Sequence, residues 1–236
     1  MEKANLNWSK LPFGYMKTDA HLEYYFKDGK WSEGKIVKKD TIEISMAASC
    51  LHYGQEAFEG LKAYEHKDGS VSLFRPDENA KRLQSSARKL LMQEVPEELF
   101  IEAVEKTVRE NRRFIPPYGT GASLYIRPLL IGISGLLGVK PAEEYLFLVF
   151  ASPVGPYFKE GIKPLKFRIE EKMKRAAIGG TGDVKVGGNY AASLRVTKKA
   201  HDEGYTEVIY LDNEKSEYLD DPVRLISLAL HRMVPM

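Results

Sequence analysis

Two segments, "ASLYIRPLLIGIS" (122–134) and "EYLFLVFASPV" (144–154), are apolar and rich in Tyr, Phe, Ile and Val, so both read as strands of a well-covered sheet. The cover is expected from two amphipathic helices that precede them. In "RPDENAKRLQSSARKLLM", Pro76 suits a first helical turn and Asp77 and Glu78 complement the helix dipole, while Ala80, Leu83, Ala87, Leu90 and Leu91 recur at helical spacing. "VPEELFIEAVEKTVRENRRF" repeats that design, with Pro96 near its start, Leu99, Ala103 and Val104 among its apolar positions, and Arg112 and Arg113 near its end. Upstream, Asp28-Gly29 and Asp68-Gly69 each sit between alternating apolar and aromatic segments and predict hairpins, because such turns need positive φ. Hairpins, then helices, then strands predict an α+β fold.

The stretch "SPVGPYFKEGIKP" holds three prolines and two glycines and is the strongest candidate for a linker. The expected organisation is an N-terminal domain over 1–152, a linker over 153–164 and a C-terminal domain over 165–236. The second domain opens with a possible strand, "LKFRIEEK". It continues with a helix from about Tyr190 to Glu203, closed by Gly204 in the left-handed cap position, and then the strand "TEVIYLD".

At 236 residues and 43% hydrophobic content the chain can bury a sizeable core, as one large domain or two small ones. A net charge of +2 is too small for a general electrostatic footprint on nucleic acid or an anionic membrane, so a small, locally bound partner is expected. The single cysteine, Cys50, excludes a thiol metal cluster and an internal disulfide and fits a reducing compartment. The first residues carry charges and a proline where a signal peptide needs an apolar run, and no stretch approaches the length of a membrane span, so the expected location is cytoplasmic.

Between the two parts of the second domain lies "GGTGDVKVGGNYAAS" (179–193), with one lysine among its glycines. A phosphate loop needs Gly-Lys-Ser/Thr entering a helix, whereas Val186 follows Lys185; the dinucleotide fingerprint fails because no glycine falls at its third position. The plainer alternative is a solvated surface lysine. Against it stand the valines on either side of Lys185, the glycines beyond them and the Asn-Tyr pair after them. An amine held among apolar neighbours loses solvation, which favours its neutral, nucleophilic form and suits Schiff-base chemistry.

The chain resembles the branched-chain amino acid aminotransferases, pyridoxal-phosphate enzymes of fold type IV that share their fold with D-amino acid aminotransferases and aminodeoxychorismate lyase. The resemblance runs to about Asp220 and is carried by "LHYGQEAFEGLKAY" (51–64), "LFRPDENAKRL" (73–83), "LYIRP" (124–128) and "GGTGDVKVGGNYAAS", in that order. It implies a two-domain α+β fold, pyridoxal 5'-phosphate as cofactor, and transfer of the amino group of Leu, Ile or Val to 2-oxoglutarate, with branched-chain amino acids and 2-oxo acids as the small-molecule partners in biosynthesis. Lys185 matches the lysine that tethers the cofactor and shuttles the proton, Tyr190 the tyrosine on its phenolic oxygen, and Arg82 the arginine on its phosphate. Tyr53, Phe58 and Gly60 match the substrate pocket, with Gly60 leaving room; Tyr125 and Arg127 match the α-carboxylate side, where a buried arginine needs an anionic or tyrosine partner. "GLLGVKP" (135–141) resembles the loop that reaches the neighbouring subunit, which implies a homodimer; His52 and Cys50 are read as packing residues.

After "LDNEKSEYLDD" the pattern ends: Asp221 stands where the family's glutamate pairs with the pyridine nitrogen, and 222–236 follow no family motif. The C-terminal domain is therefore expected to be incomplete, by truncation or a frameshift, since Pro222 to Leu228 back-translate so that a two-base shift reads Gly-Ser-Ser-Asn-Phe-Phe. The strand "TEVIYLD" is then expected to lack neighbours. Two other readings stand beside the first: a D-amino acid aminotransferase or aminodeoxychorismate lyase of the same fold, and a truncated, non-catalytic chain.

Overall fold

The computed structural model describes residues 2–156 and 164–220, and these form two compact units. The first contains 2–156 together with 184–187; the second contains 164–183 and 188–220.

In the first unit the elements run β1 (His21–Lys27), β2 (Lys30–Trp31), β3 (Lys35–Val37), α1 (Ser49–Tyr53), β4 (Glu56–Phe58), β5 (Leu61–Glu65), β6 (Val71–Leu73), α2 (Pro76–Lys89), α3 (Glu97–Glu110), β7 (Ser123–Gly132) and β8 (Tyr145–Val154). Eight strands make one antiparallel sheet in the order β2-β1-β8-β7-β5-β6, with β3 added to β1 and β4 to β7. The two apolar segments are its centre: β7 and β8 pair along their whole length, Ser123 opposite Val154 through Gly132 opposite Tyr145. Strand β8 runs two residues into the stretch expected to be the linker, most of which lies outside the described residues.

Period-two alternation divides the sheet into two faces. On one, Leu22, Tyr24, Ala57, Leu61, Leu124, Ile126, Phe147 and Val149 meet Ala80, Leu83 and Ala87 of α2 and Phe100, Ala103 and Val104 of α3 in the main core. On the other, Ile131, Leu146 and Leu148 pack with Tyr25, Leu129 and Phe150, and Cys50 lies against them. Both expected hairpins form, by different turns. Asp28 and Gly29 both have positive φ, 50° and 77°. At the second, the Gly69 amide bonds the His66 carbonyl and only Gly69 takes positive φ, 81°, in a three-residue loop.

Helix α2 starts with Pro76 in its first turn and ends earlier than its apolar spacing suggests. Leu91, expected on the core face, is 71% exposed with φ of 51°. The Met92 amide reaches back to the Ala87 carbonyl, closing the helix around a left-handed residue where glycine is usual.

The second unit holds β9 (Phe167–Glu170), most of α4 (Gly187–Ala191), α5 (Leu194–Asp202) and β10 (Glu207–Tyr210). The helix expected over 190–203 is thus two helices. The break falls at Ser193, whose backbone N–H and hydroxyl both donate to the Tyr190 carbonyl, at 3.1 Å and 2.8 Å, a local bond that competes with the helical ladder. Gly204 follows α5 with φ of 84°, as expected. Strand β10, expected to lack neighbours, has one: it pairs in parallel with β9 from Glu207 opposite Phe167 to Tyr210 opposite Glu170. Val196, Ala200, Val208 and Tyr210, with Tyr190 against them, make the small core of this unit.

Candidate active site

The segment that carries Lys185 belongs to the first unit, although the residues flanking it in sequence belong to the second. The valines explain this. Val184 and Val186 are 6% and 4% exposed in the main core, and Lys185 between them is only partly buried. The Lys185 amide donates to the Ser86 hydroxyl of α2 at 3.1 Å, and the Lys185 carbonyl accepts from the Phe58 amide of β4 at 3.1 Å. One residue on from Val186, the Gly187 amide donates to the Glu56 carboxylate.

Strand β4 therefore offers the lysine its neighbours. The Lys185 amine lies 4.5 Å from the centroid of the Phe58 ring, and the Arg127 guanidinium lies 4.7 Å from the same ring. Arg127 comes from β7, paired with β4 through Phe58 opposite Leu129, so backbone pairing sets the spacing of these groups. Its partner is a tyrosine: Nη2 and Nε donate to the Tyr125 hydroxyl at 2.9 and 3.3 Å. Gly60 is where that hydroxyl fits, since a Cβ at Gly60 would lie 2.2 Å from it. The Tyr125 hydroxyl thus occupies the space that a side chain at residue 60 would need. Burial pushes the Glu56 carboxyl above its ordinary range, while the Gly187 amide and the charge of Arg127 pull it back.

Arg82 is joined to this cluster through Glu59, the residue between Phe58 and Gly60. Its Nε and Nη2 clasp the two oxygens of Glu59 at 2.5 and 2.8 Å, and Glu59, fully buried, also accepts from Asn79 at 2.8 Å and the Gly60 amide at 3.2 Å. An exposed helix arginine is ordinarily mobile; a buried carboxylate with four donors fixes this one.

Tyr53 ends α1 and donates to the Leu137 carbonyl in the loop 135–141. Tyr190 packs on the small core of the second unit. Asp221 lies outside the described residues. His52 is exposed and donates to the Met46 carbonyl at 2.8 Å, which does not bear out a packing role, whereas burial raises the Cys50 thiol, in keeping with one.

Sequence reasoning missed four residues: Glu56, Glu59, Ser86 and Phe13, whose ring meets Tyr125 edge-on at 5.7 Å. Glu56 and Glu59 left a signal, two acids in an otherwise apolar strand pattern, "EAFEGLKAY". Among the described residues, no three His, Cys, Asp or Glu side chains are grouped to hold a metal ion, and no helix is long and apolar enough to cross a membrane.

Residues 56–217 match the amino-transferase class IV model. The chain belongs to the amino-transferase class IV family. It is 52% identical over 209 residues to the branched-chain-amino-acid aminotransferase of Helicobacter pylori, and 50% identical over 213 residues to that of Haemophilus influenzae, each alignment taking 88% of this chain and 62% of the relative. The chain therefore spans less than two thirds of the length of these relatives. Its fold superposes with a TM-score of 0.68 and 29% identity on a T.th. branched-chain amino acid aminotransferase complexed with N-(5'-phosphopyridoxyl)-L-glutamate, covering 87% of this chain and 62% of that one. The α+β type IV fold expected from the motifs is the fold of the class IV family to which the chain belongs.

Proposed function

We propose that this chain carries the reactive centre of a pyridoxal 5'-phosphate-dependent branched-chain amino acid aminotransferase, moving the amino group of Leu, Ile or Val to 2-oxoglutarate. The observation that carries the reading is the Lys185 amine, 4.5 Å from the Phe58 ring in a segment fastened to β4 and α2. The donor set fits the cofactor: a single amine suits its aldehyde carbon, and the permanent positive charge of Arg82, held in place by Glu59, suits its phosphate. When bound, the cofactor supplies an electron sink for the substrate's α-carbon.

The protein's own groups then divide the work. Lys185 Nζ tethers the cofactor and holds the proton taken from the α-carbon. Arg127, oriented by the Tyr125 hydroxyl, receives the substrate carboxylate. Phe58 and Tyr53 offer aromatic walls to a branched aliphatic side chain. Tyr190 and Asp221 serve the cofactor's phenolic oxygen and ring nitrogen. The working form is a homodimer in the cytoplasm.

The test is spectroscopic. The purified chain with added pyridoxal phosphate is expected to develop a visible absorption band that Lys185→Ala lacks, and leucine, but not D-alanine, is expected to remove it. An identical band in Lys185→Ala would reject the assignment, and removal by D-alanine instead of leucine would favour the D-amino acid reading.

A further inference from the structure

We infer that Glu56 is a positioning residue for Lys185, its carboxylate fixing the end of the lysine's segment through the Gly187 amide. The inference rests on the reading of Lys185 as the cofactor-bearing lysine. The bonds of this segment include three to β4 and α2. Two are centred on Lys185 itself, from its amide to Ser86 and from Phe58 to its carbonyl; the third holds Gly187 and is the only one of the three made to a charged group. A lysine has a long, flexible stem, so the backbone on both sides must be fixed if the amine is to be delivered to one place.

Glu56 and Gly187 are matched. A Cβ at Gly187 would lie 2.4 Å from Glu56 Oε1 and 3.2 Å from Cδ, so the carboxylate occupies the space that any other residue at 187 would need. This gives one glycine of the "KVGG" run a reason: it lets an acid from β4 reach the backbone. Gly187 has no positive φ, so conformational freedom is not what the position requires. Glu56 also alternates with Phe58 on the same face of β4, placing the clamp and the aromatic neighbour of the amine on one strand.

The experiment compares Glu56→Ala, Glu56→Gln and Gly187→Ala with the wild-type chain, by hydrogen exchange of amides 185–187 in the cofactor-free protein and by absorbance titration with pyridoxal phosphate. Loss of one buried bond to a charged acceptor predicts about tenfold to hundredfold faster exchange and at least about tenfold weaker lysine-dependent binding for Glu56→Ala and Gly187→Ala. Glutamine keeps an acceptor oxygen, so Glu56→Gln is expected to stay within about threefold of wild type in both readouts. Unchanged exchange in Glu56→Ala, or a Glu56→Gln as impaired as Glu56→Ala, would overturn the inference. If the wild-type chain forms no Lys185-dependent band, the functional reading fails, and the exchange arm still decides whether Glu56 holds the segment.

Discussion

The two units of the chain bury apolar surface very differently. In the first, a sheet of eight strands is covered on one face by α2 and α3, and side chains as large as Tyr24, Phe100 and Phe147 are at most 2% exposed. In the second, a two-stranded sheet and α5 share a core built around Val196, Ala200, Val208 and Tyr210, while Ile169, Ile178, Leu194 and Tyr218 are 54%, 79%, 59% and 64% exposed. A two-stranded sheet is marginal by itself. Lys185 belongs to the first unit: the residues flanking its segment in sequence belong to the second, and Val184 and Val186 anchor it in the first.

The largest effect expected from this contrast is at Phe100, wholly buried between α3 and the sheet. Phe100→Ala should cost the first unit about 3–5 kcal/mol in denaturant unfolding, whereas Val208→Ala should cost about 2 kcal/mol and loosen only the second unit. If Val208→Ala also lowered the protection of β7 and β8, the division would be broken. A smaller effect follows from pH. Glu56 is raised in the fold, chiefly by burial, so the folded state holds its proton more tightly than the unfolded state, and stability falls as pH rises above the ordinary glutamate value of 4.5 through the folded one. Wild type should therefore gain on Glu56→Gln when the pH is lowered from 7 toward 4.5, seen as a shift in relative Tm. The smallest concerns Leu91, exposed and left-handed at the end of α2. Leu91→Gly should stabilise the first unit by about 0.5–1 kcal/mol, measured by the same denaturant titration.

The fold of the first unit was largely legible. Its strands and helices are marked by period and by residues with a fixed conformational role, such as Pro76 and Gly29, and those signals are local. What local pattern misses is where an element stops for a reason of its own, as at Leu91, or where a side chain bonds its own backbone, as Ser193 does to split α4 from α5. The site was legible in part. Lys185, Phe58, Tyr125 and Arg127 are named by motif; strand pairing brings the last three together, and the backbone bond from the Phe58 amide to the Lys185 carbonyl adds the lysine. The groups that hold the Lys185 segment, Ser86 and Glu56, and the one that holds Arg82, Glu59, act across separations of 99, 131 and 23 residues. No period or spacing in one segment encodes a partner that distant. Gly60 and Gly187 show the same limit: each is a glycine because of a side chain elsewhere, the Tyr125 hydroxyl and the Glu56 carboxylate.

The central claim is that Lys185 is carried by the first unit. Native-state hydrogen exchange, read residue by residue, tests it most directly. The account predicts that amides 184–187 are protected to the level of β7 and β8 and exchange far more slowly than those of α5. Exchange of 184–187 in step with α5, and ahead of β7 and β8, would contradict it.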